Sequence, residues 1–211
     1  MSDRTSLGDE EPQAGLRERK KQLTRRTIAD AAFQLTAERG LDHVTIDQIA
    51  ERAFVSPRTV SNYFTSKEAA IVAASNNAPV ELLVGLDERP ADEPPLQSLH
   101  AVLTDALRGW SAEQLEALRA KEQMVDRYPA LVPHRMAQYD ELESLIRTSI
   151  AERSGADPET DAFSRLIAGA ATAAVKTAIR VWDNTDGGAG SIADLVDQAF
   201  LDLEAGLSSE D

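Results

Sequence analysis

The chain has 211 residues, enough for one large domain or two small ones, and its hydrophobic fraction of 42% is sufficient for a buried core. It contains no cysteine, which excludes disulfides, thiolate catalysis and thiolate metal sites and fits a cytoplasmic protein. The sequence has no run of about 18 apolar residues, so we expect no membrane-spanning helix.

The net charge of −14 is unevenly distributed along the chain. Residues 1–70 contain 11 Lys and Arg and 11 Asp and Glu, so the acidic excess lies entirely in residues 71–211. Residues 16–68 are locally basic, with 10 basic and 7 acidic side chains. Because charges further apart than about 8–10 Å are largely screened, such a segment can attract phosphate even on an acidic protein.

The first predicted helix covers residues 17–39 and follows a polar, acidic leader. The leader, residues 1–15, has no apolar stretch, so it is not a signal peptide and is predicted to be disordered. Gly40 supplies the residue type that commonly ends a helix. The helix is indicated by a single apolar stripe at helical spacing, which consists of Ile28, Ala31, Ala32 and Leu35.

Two short helices with strong start signals follow. Thr45 and Gln48 form a capping box that begins a helix over residues 46–52. Ser56 and Pro57 supply an N-cap and a proline in the first helical turn, and begin a helix that ends at residue 63 or 64. Two capped helices joined by a tight turn predict a helix-turn-helix.

A fourth helix is predicted from Ser66 to about Asn76, and the prolines and acids that follow place a domain boundary near Asn77. We therefore expect a helix-turn-helix domain over residues 16–76 and a larger helical domain over residues 77–211. No strand is predicted, and the fold class is all-α. The helices predicted in the second domain cover residues 96–110, 112–127, 130–153, 158–183 and 191–207.

The outward face of the third helix carries side chains suited to base edges in the major groove. Arg58 suits a bidentate contact to guanine and Asn62 one to adenine, while the Thr59 methyl suits thymine. A basic arm of Arg17, Arg19, Lys20 and Lys21 suits the DNA backbone or the minor groove. The alternative is a solvated charged face, but the spacing of the capped helices favours DNA binding. The expected DNA-contacting residues are Arg17, Arg19, Lys20, Thr45, Ser56, Arg58, Thr59, Asn62, Tyr63 and Lys67.

The segments Thr45 to Ala50, Val55 to Phe64 and Ser66 to Glu68 together resemble the DNA-binding domain of TetR-family regulators, and the resemblance extends over about residues 17–74. It implies a homodimer on a palindromic operator, a C-terminal ligand-binding domain of five or six helices, and usually repression relieved by a small effector.

Phe54 departs from the family pattern, which usually has glycine at this place in the turn. If the backbone keeps a positive φ there, a bulky residue costs about 1–2 kcal/mol. We therefore expect either a rearranged turn or a phenyl ring with a use of its own, such as packing on the domain.

The second domain resembles more loosely the subgroup whose C-terminal domains bind acyl-CoA-like ligands, including mycofactocin-type regulators. The resemblance lies in residues 122–133 and 165–182. A mostly apolar cavity with a few polar groups is expected, although each aromatic residue taken singly is more often core. Arg127, Arg135, Lys176 and Arg180 suit an anionic head group but equally suit surface ion pairs. The candidate ligand-binding residues are Trp110, Met124, Arg127, Tyr128, Leu131, Arg135, Tyr139, Lys176, Arg180 and Trp182.

A row of small residues over residues 168–174 allows another helix to approach closely. The family resemblance makes this helix and the last one the expected dimer interface. The alternative is that the row packs against other helices of the same subunit. Both can hold at once, if one face of the helix forms the dimer interface and another packs within the subunit.

Two other classes of function compete with a regulator. An enzyme is disfavoured because the three histidines have no metal-binding or catalytic spacing, and because the glycine run at residues 187–190 does not follow a strand. No cofactor and no metal are expected. A helical protein-interaction module would dimerise without salt-dependent DNA binding.

Overall fold

The computed structural model describes residues 11–74, 82–185 and 190–207, with side chains from residue 16 onward. The described residues form helices joined by turns and contain no strand, which confirms the all-α prediction. They divide into two compact units, with the break after Ser75. The first unit also includes a segment from far along the chain, Arg127–Leu131.

Four helices belong to the first unit: α1 (Glu11–Arg39), α2 (Ile46–Arg52), α3 (Pro57–Tyr63) and α4 (Lys67–Val72). The predicted bounds of α2 and α3 are confirmed. The predicted start of α1 is wrong, because residues 11–15, assigned to the disordered leader, are helical. Pro12 is compatible with this start, since proline is tolerated in the first turn of a helix. Residues 1–10 lie outside the described residues. The predicted end of α4 at about Asn76 is wrong, because the helix ends at Val72 and residues 73 and 74 form a turn; residues 75 and 76 lie outside the described residues.

The core of the first unit forms where the apolar stripe of α1 meets α2 and α4, and α2 in turn packs on α3. All four residues of the predicted stripe are buried. Burial of apolar side chains on this scale is the main force that holds three short helices together. The other members of this core are Ala29, Val44, Ile49, Ala50, Val60, Phe64, Ala70 and Ile71.

Side-chain caps fix where the short helices begin. The Thr45 hydroxyl accepts from the Gln48 N–H at 3.3 Å, and the Gln48 side chain accepts from the Thr45 N–H at 3.0 Å, which confirms the capping box. Ser56 caps α3 through the Thr59 N–H at 3.0 Å, and Ser66 caps α4. Each such cap contributes about 1 kcal/mol to helix stability.

The segment Arg127–Leu131 completes the first unit. Leu131 is fully buried, and the 3-10 turn Pro129–Leu131 packs on α4. Gly40 ends α1 with φ of 83°, and a Cβ atom there would lie 3.4 Å from the Tyr128 hydroxyl. Glycine at position 40 therefore serves both the backbone turn and the close approach of Tyr128.

The turn between α2 and α3 keeps a positive φ at Phe54, 55°, so it is not rearranged. The phenyl ring is 96% exposed. The expectation that the ring packs on the domain is therefore wrong. The turn is instead held by two backbone hydrogen bonds, from the Phe54 N–H to the Glu51 carbonyl at 3.2 Å and from the Val55 N–H to the Ala50 carbonyl at 3.0 Å.

The second unit contains α5 (Pro95–Arg108), most of α6 (Ala112–Arg127), α7 (Val132–Ser154), α8 (Ala162–Asn184) and α9 (Ile192–Glu204). The bounds predicted for α6 are confirmed. The predicted start of α8 at Pro158 is wrong by four residues, because Asp161 caps the helix through the Ser164 N–H at 2.8 Å. The end predicted for the last helix is three residues too late. In the described ranges, no helix has both the length and the apolar content needed to cross a bilayer.

The core of the second unit lies around α8, which packs on α7, α9 and α5. Arg153 of α7 donates hydrogen bonds of 2.8 Å to the carbonyls of Leu86 and Pro90, and so holds the segment before α5 in place. The largest buried side chains of this core include Leu99, Leu103, Ile146, Ile150, Trp182, Val196 and Phe200.

The small residues of α8 divide between two faces. Ala168, Ala171 and Ala174 are buried in the core of their own subunit, whereas Ala170 is half-buried and Ala173 is exposed. The intramolecular packing expected for this row is therefore present on one face. The other face continues into exposed apolar side chains, which are Phe163, Leu166 and Val181.

Candidate functional site

The helix-turn-helix presents the outer face of α3 to solvent. Val60 and Phe64 are buried beneath the helix and fix its rotation. Arg58 and Asn62 are consequently exposed on the other side, with their donors and acceptors available to a partner. This is the arrangement in which a recognition helix contacts base edges.

Thr59 is half-buried and its hydroxyl is already engaged. It lies 2.8 Å from the Ser56 hydroxyl, in the cap of α3. The side-chain oxygens of Ser56 and Thr59 therefore hold the beginning of α3. The Thr59 methyl group takes no part in this hydrogen bond, so the bond does not prevent the predicted contact with thymine.

The basic arm is the N-terminal part of α1, and it shares a groove with Tyr63 of α3. The groove has a volume of about 680 Å³. Basic and hydroxyl side chains on its walls suit a phosphodiester backbone. The lining residues are Arg17, Glu18, Lys20, Lys21, Thr24 and Tyr63.

Several cations at this surface are not neutralised. Lys21 and Arg26 have carboxylate neighbours on α1, each at 3.8 Å. Among the side chains that the structure describes, no ion pair involves Arg17, Arg19, Lys20 or Arg58. Unpaired cations beside a recognition helix create a positive field that favours phosphate.

Two predicted DNA contacts also have structural tasks. The Lys67 ammonium donates hydrogen bonds to the carbonyls of Leu41 at 2.8 Å and Val44 at 2.9 Å. Thr45 belongs to the capping box of α2. Contacts of Lys67 and Thr45 with DNA stay predictions, and in the structure both side chains hold the α1–α2 connection.

In the second unit, Tyr139 of α7 brings two of the predicted ligand residues together. The Arg135 guanidinium lies 4.3 Å from the centre of the Tyr139 ring, and the Lys176 ammonium lies 5.8 Å from it. Burial raises the pKa of Tyr139 to about 12. Arg135 is buried and forms an ion pair with Glu122 of α6.

Lys121, which is not among the residues predicted from sequence, is among the largest fully buried side chains in the described residues. Burial, with Arg135 nearby, lowers its pKa to about 7, against the opposing effect of Glu122. A signal for it exists in the sequence: Leu118 and Val125 are buried at positions i and i+7 of α6, and Lys121 takes the i+3 position of the same stripe. A lysine at a core position is unusual and calls for a specific reason.

Trp182 of α8 is buried, and the Arg119 guanidinium of α6 lies 4.3 Å from the centre of its ring system. Both residues line a groove of about 540 Å³ along α6, together with Ala112, Leu115, Glu116, Ala120 and Gln123. Arg119 is a second cation that was not predicted from sequence.

The other ligand candidates are spread more widely. Met124 is buried in α6, and Trp110 packs against the core of the second unit. Arg180 is exposed and pairs with Asp126 at 3.1 Å. Arg127, Tyr128 and Leu131 belong to the first unit. In that unit the Tyr128 hydroxyl lies close to Gly40 and the turn Pro129–Leu131 packs on α4, and contact of Tyr128 and Leu131 with a ligand stays a prediction.

Comparison with known protein families matches both units. Residues 28–74 match the family of bacterial regulatory proteins named tetR, and residues 93–208, more than half of the chain, match the MftR C-terminal domain. The chain belongs to the TetR family of bacterial transcriptional regulators. It is therefore a DNA-binding regulator, and the prediction that it is not an enzyme is confirmed.

Two bacterial regulators that are similar to this chain in sequence support the same family assignment. The regulator is 32% identical over 173 residues to the HTH-type transcriptional regulator TcmR of Streptomyces glaucescens, covering 80% of this chain and 76% of TcmR. It is 27% identical over 158 residues to the putative mycofactocin biosynthesis transcriptional regulator MftR of Mycobacterium tuberculosis, covering 70% and 77% of the two chains.

Solved structures show the same fold at low sequence identity. SmeT, the repressor of a multidrug efflux pump in Stenotrophomonas maltophilia, matches with a TM-score of 0.53 and 18% identity over 89% of this chain and 91% of SmeT. The fatty acid degradation regulator FadR of Bacillus halodurans matches with a TM-score of 0.52 and 19% identity over 89% and 97%.

Proposed function

We propose that this regulator is a cytoplasmic repressor that binds a palindromic operator as a homodimer and is released by an acyl-CoA-like effector. The observation that carries the DNA-binding part is the set of unpaired cations around α3 and the N-terminal part of α1. In the dimer, two recognition helices lie about 34 Å apart and contact successive major grooves.

The dimer is proposed to form through α8 and α9. This is supported by the exposed apolar residues on the outer face of α8 and by the small side chains Ala170 and Ala173, which permit close helix packing. The effector class is supported by the match of the second unit to the MftR C-terminal domain and by the acyl-CoA-binding subgroup that it resembles.

Release requires that the effector bind one conformation of the dimer more tightly than another. A ligand shifts an equilibrium only by its differential affinity for the two states. In the ligand-bound state the spacing of the recognition helices no longer fits the operator, so the affinity for DNA falls.

A mobility-shift assay on the DNA upstream of the regulator's own gene tests the proposal. We expect Arg58→Ala to lower operator affinity by about 10-fold to 100-fold and to relax base preference at one position, because a bidentate guanine contact is lost. Lys20→Ala should weaken binding to all sequences alike and reduce the salt dependence by about one unit of slope.

Arg108→Ala is the matched control, since Arg108 is an exposed arginine of α5 in the second unit. It should leave operator binding unchanged. Selection of genomic DNA fragments that bind the protein detects operators that lie away from the regulator's own gene. A folded dimer that retains no specific fragment at low salt would contradict the proposal.

A further inference from the structure

The basic arm extends beyond the core of its own unit. The first buried side chain of α1 among those described is Ile28, and in residues 16–27 every side chain is exposed except that of Thr24, which is half-buried. Since α1 begins at Glu11, about 17 residues precede Ile28, and at 1.5 Å per residue they form about 25 Å of helix.

Positive charge is concentrated on this exposed part of the helix. Residues 16–27 carry six basic side chains and one acidic side chain, Glu18. Arg17, Lys20 and Lys21 share one face, because helical residues three and four positions apart are neighbours. Like charges at this spacing repel one another and destabilise a helix that buries no apolar face. A partner with negative charge along its length turns this repulsion into attraction.

The charged face continues into the recognition helix. It lines the groove of about 680 Å³ that α1 shares with Tyr63, whose hydroxyl can donate to a phosphate oxygen. Glu18, the carboxylate on the groove wall, lies 3.8 Å from the Lys21 ammonium and is thus paired within the arm. Arg17 and Lys20 take part in no ion pair with the side chains that the structure describes. These two cations are therefore available to an anionic partner.

The helical form of the arm decides where on DNA it fits. An α-helix with its side chains is about 10–12 Å across, whereas the minor groove of B-DNA is about 6 Å wide. Of the two places expected from the sequence, the backbone and the minor groove, a helix fits only the backbone. At about 3.4 Å per base pair, 25 Å of helix spans about 7 base pairs.

We propose that the basic arm lies along the phosphate backbone of the DNA that flanks the operator, with the face of Arg17, Lys20 and Lys21 against the phosphates. The inference rests on the proposed operator binding and adds to it a contact that is independent of base sequence. Tyr63 connects the two parts of the surface, since it ends α3 and also lines the groove of the arm.

The experiment measures binding of the full chain to DNA duplexes by fluorescence anisotropy. Footprinting on the upstream fragment locates the bound palindrome, which is prepared alone and with about 7 base pairs added at each end. The added DNA is A·T-rich in one duplex and G·C-rich in another. At about 0.1 M salt we expect both longer duplexes to bind about 10-fold to 100-fold more tightly than the palindrome alone. The two should gain equally, because phosphate contacts carry no sequence information.

Two double variants test whether one face of the helix makes the contact. Arg17→Gln with Lys20→Gln should abolish most of the gain and reduce the salt dependence by about two units of slope, one for each cation removed. The matched control, Arg19→Gln with Arg26→Gln, removes two cations about half a turn round the same helix and should keep the gain. All four side chains are exposed and glutamine is a good helix former, so both variants should fold.

Three results would overturn the inference. They are no gain from the added DNA, a preference for A·T-rich ends, which indicates contact in the minor groove, and an equal loss in the two double variants, which indicates a diffuse field.

Binding to the palindrome alone tests the proposed function separately. If the wild type binds the palindrome specifically but gains nothing from the longer duplexes, the inference alone is wrong and the repressor stands. If the wild type binds no fragment specifically, the proposed function fails and the inference fails with it.

Discussion

At the scale of single residues, the exposed phenyl ring of Phe54 sits on a backbone that suits glycine. Its φ of 55° lies in the left-handed region, and the ring is 96% exposed, so burial provides no compensation. We expect Phe54→Gly to stabilise the protein by about 0.5–1 kcal/mol, which is the relief of the steric penalty less the entropy lost by glycine on folding.

Urea denaturation measures this gain, and Phe54→Ala is the matched control. Alanine removes the ring but keeps the Cβ atom, so the strain should remain and the midpoint should hardly move. If alanine stabilises as much as glycine, the penalty comes from the ring and not from the backbone.

The burial of Lys121 leads to a second prediction at this scale, that the free energy of unfolding depends on pH. Its pKa is about 7 in the folded protein, whereas the ordinary value for a lysine exposed to water, as in an unfolded chain, is 10.5. Between these values the unfolded chain binds more protons, so this residue makes stability rise with pH. The destabilisation, a few kcal/mol, is fully present below about pH 7 and is relieved toward pH 10.5.

Lys121→Met should therefore be more stable than the wild type at pH 6, and the difference should shrink at pH 9. The charged groups that face Lys121, Arg135 and Glu122, are unchanged in this variant. Unfolding in urea at the two pH values checks the result, with the exposed Lys176→Met as control. A difference that is constant with pH would show that the buried ammonium is not its source.

At the scale of helices, the outer face of α8 exposes several large apolar side chains, as is typical of a surface that binds another protein. Leu166 is 70% exposed there, and Phe163 and Val181 are exposed as well. We expect Leu166→Glu to convert the dimer into a monomer, since a buried charge without a partner opposes association. Sedimentation velocity reports the mass, and operator affinity should fall with it.

Leu23→Glu is the control for this substitution, because Leu23 is a comparably exposed leucine on α1. It should remain a dimer. A dimeric Leu166→Glu variant would mean that α8 does not form the subunit interface.

The helices were predictable from sequence wherever the start signal was local. The capping box at Thr45 and the Ser56-Pro57 pair fix α2 and α3 to the residue, because the hydrogen bonds involved span three positions. The predicted start of α8 is wrong because Pro158 offers an equally good local signal, and only the folded structure shows that Asp161 is the cap.

At the scale of the whole molecule, the exposed face of α3 could be predicted from the sequence and the buried polar cluster of the second unit could not. Arg58 and Asn62 are placed by the rotation of one short helix, which the apolar positions Val60 and Phe64 already reveal. The cluster of Lys121, Glu122 and Arg135 depends on how α6 packs on α7, and that information is not local to either helix. Arg135 is predicted as a candidate from the sequence, whereas the sequence marks Lys121 only as a lysine within an apolar stripe, and its neighbours become apparent only in the folded structure.

The chain passes between the two units at three places: after residue 75, before Arg127 and after Leu131. A fragment ending at residue 75 would leave open to water the surface of α4 that Pro129–Leu131 covers. The first 75 residues alone therefore do not make up the whole first unit. A chimaera that exchanges the first unit must therefore also exchange the segment Arg127–Leu131 from the middle of the chain, or preserve the surface of α4 on which that segment packs.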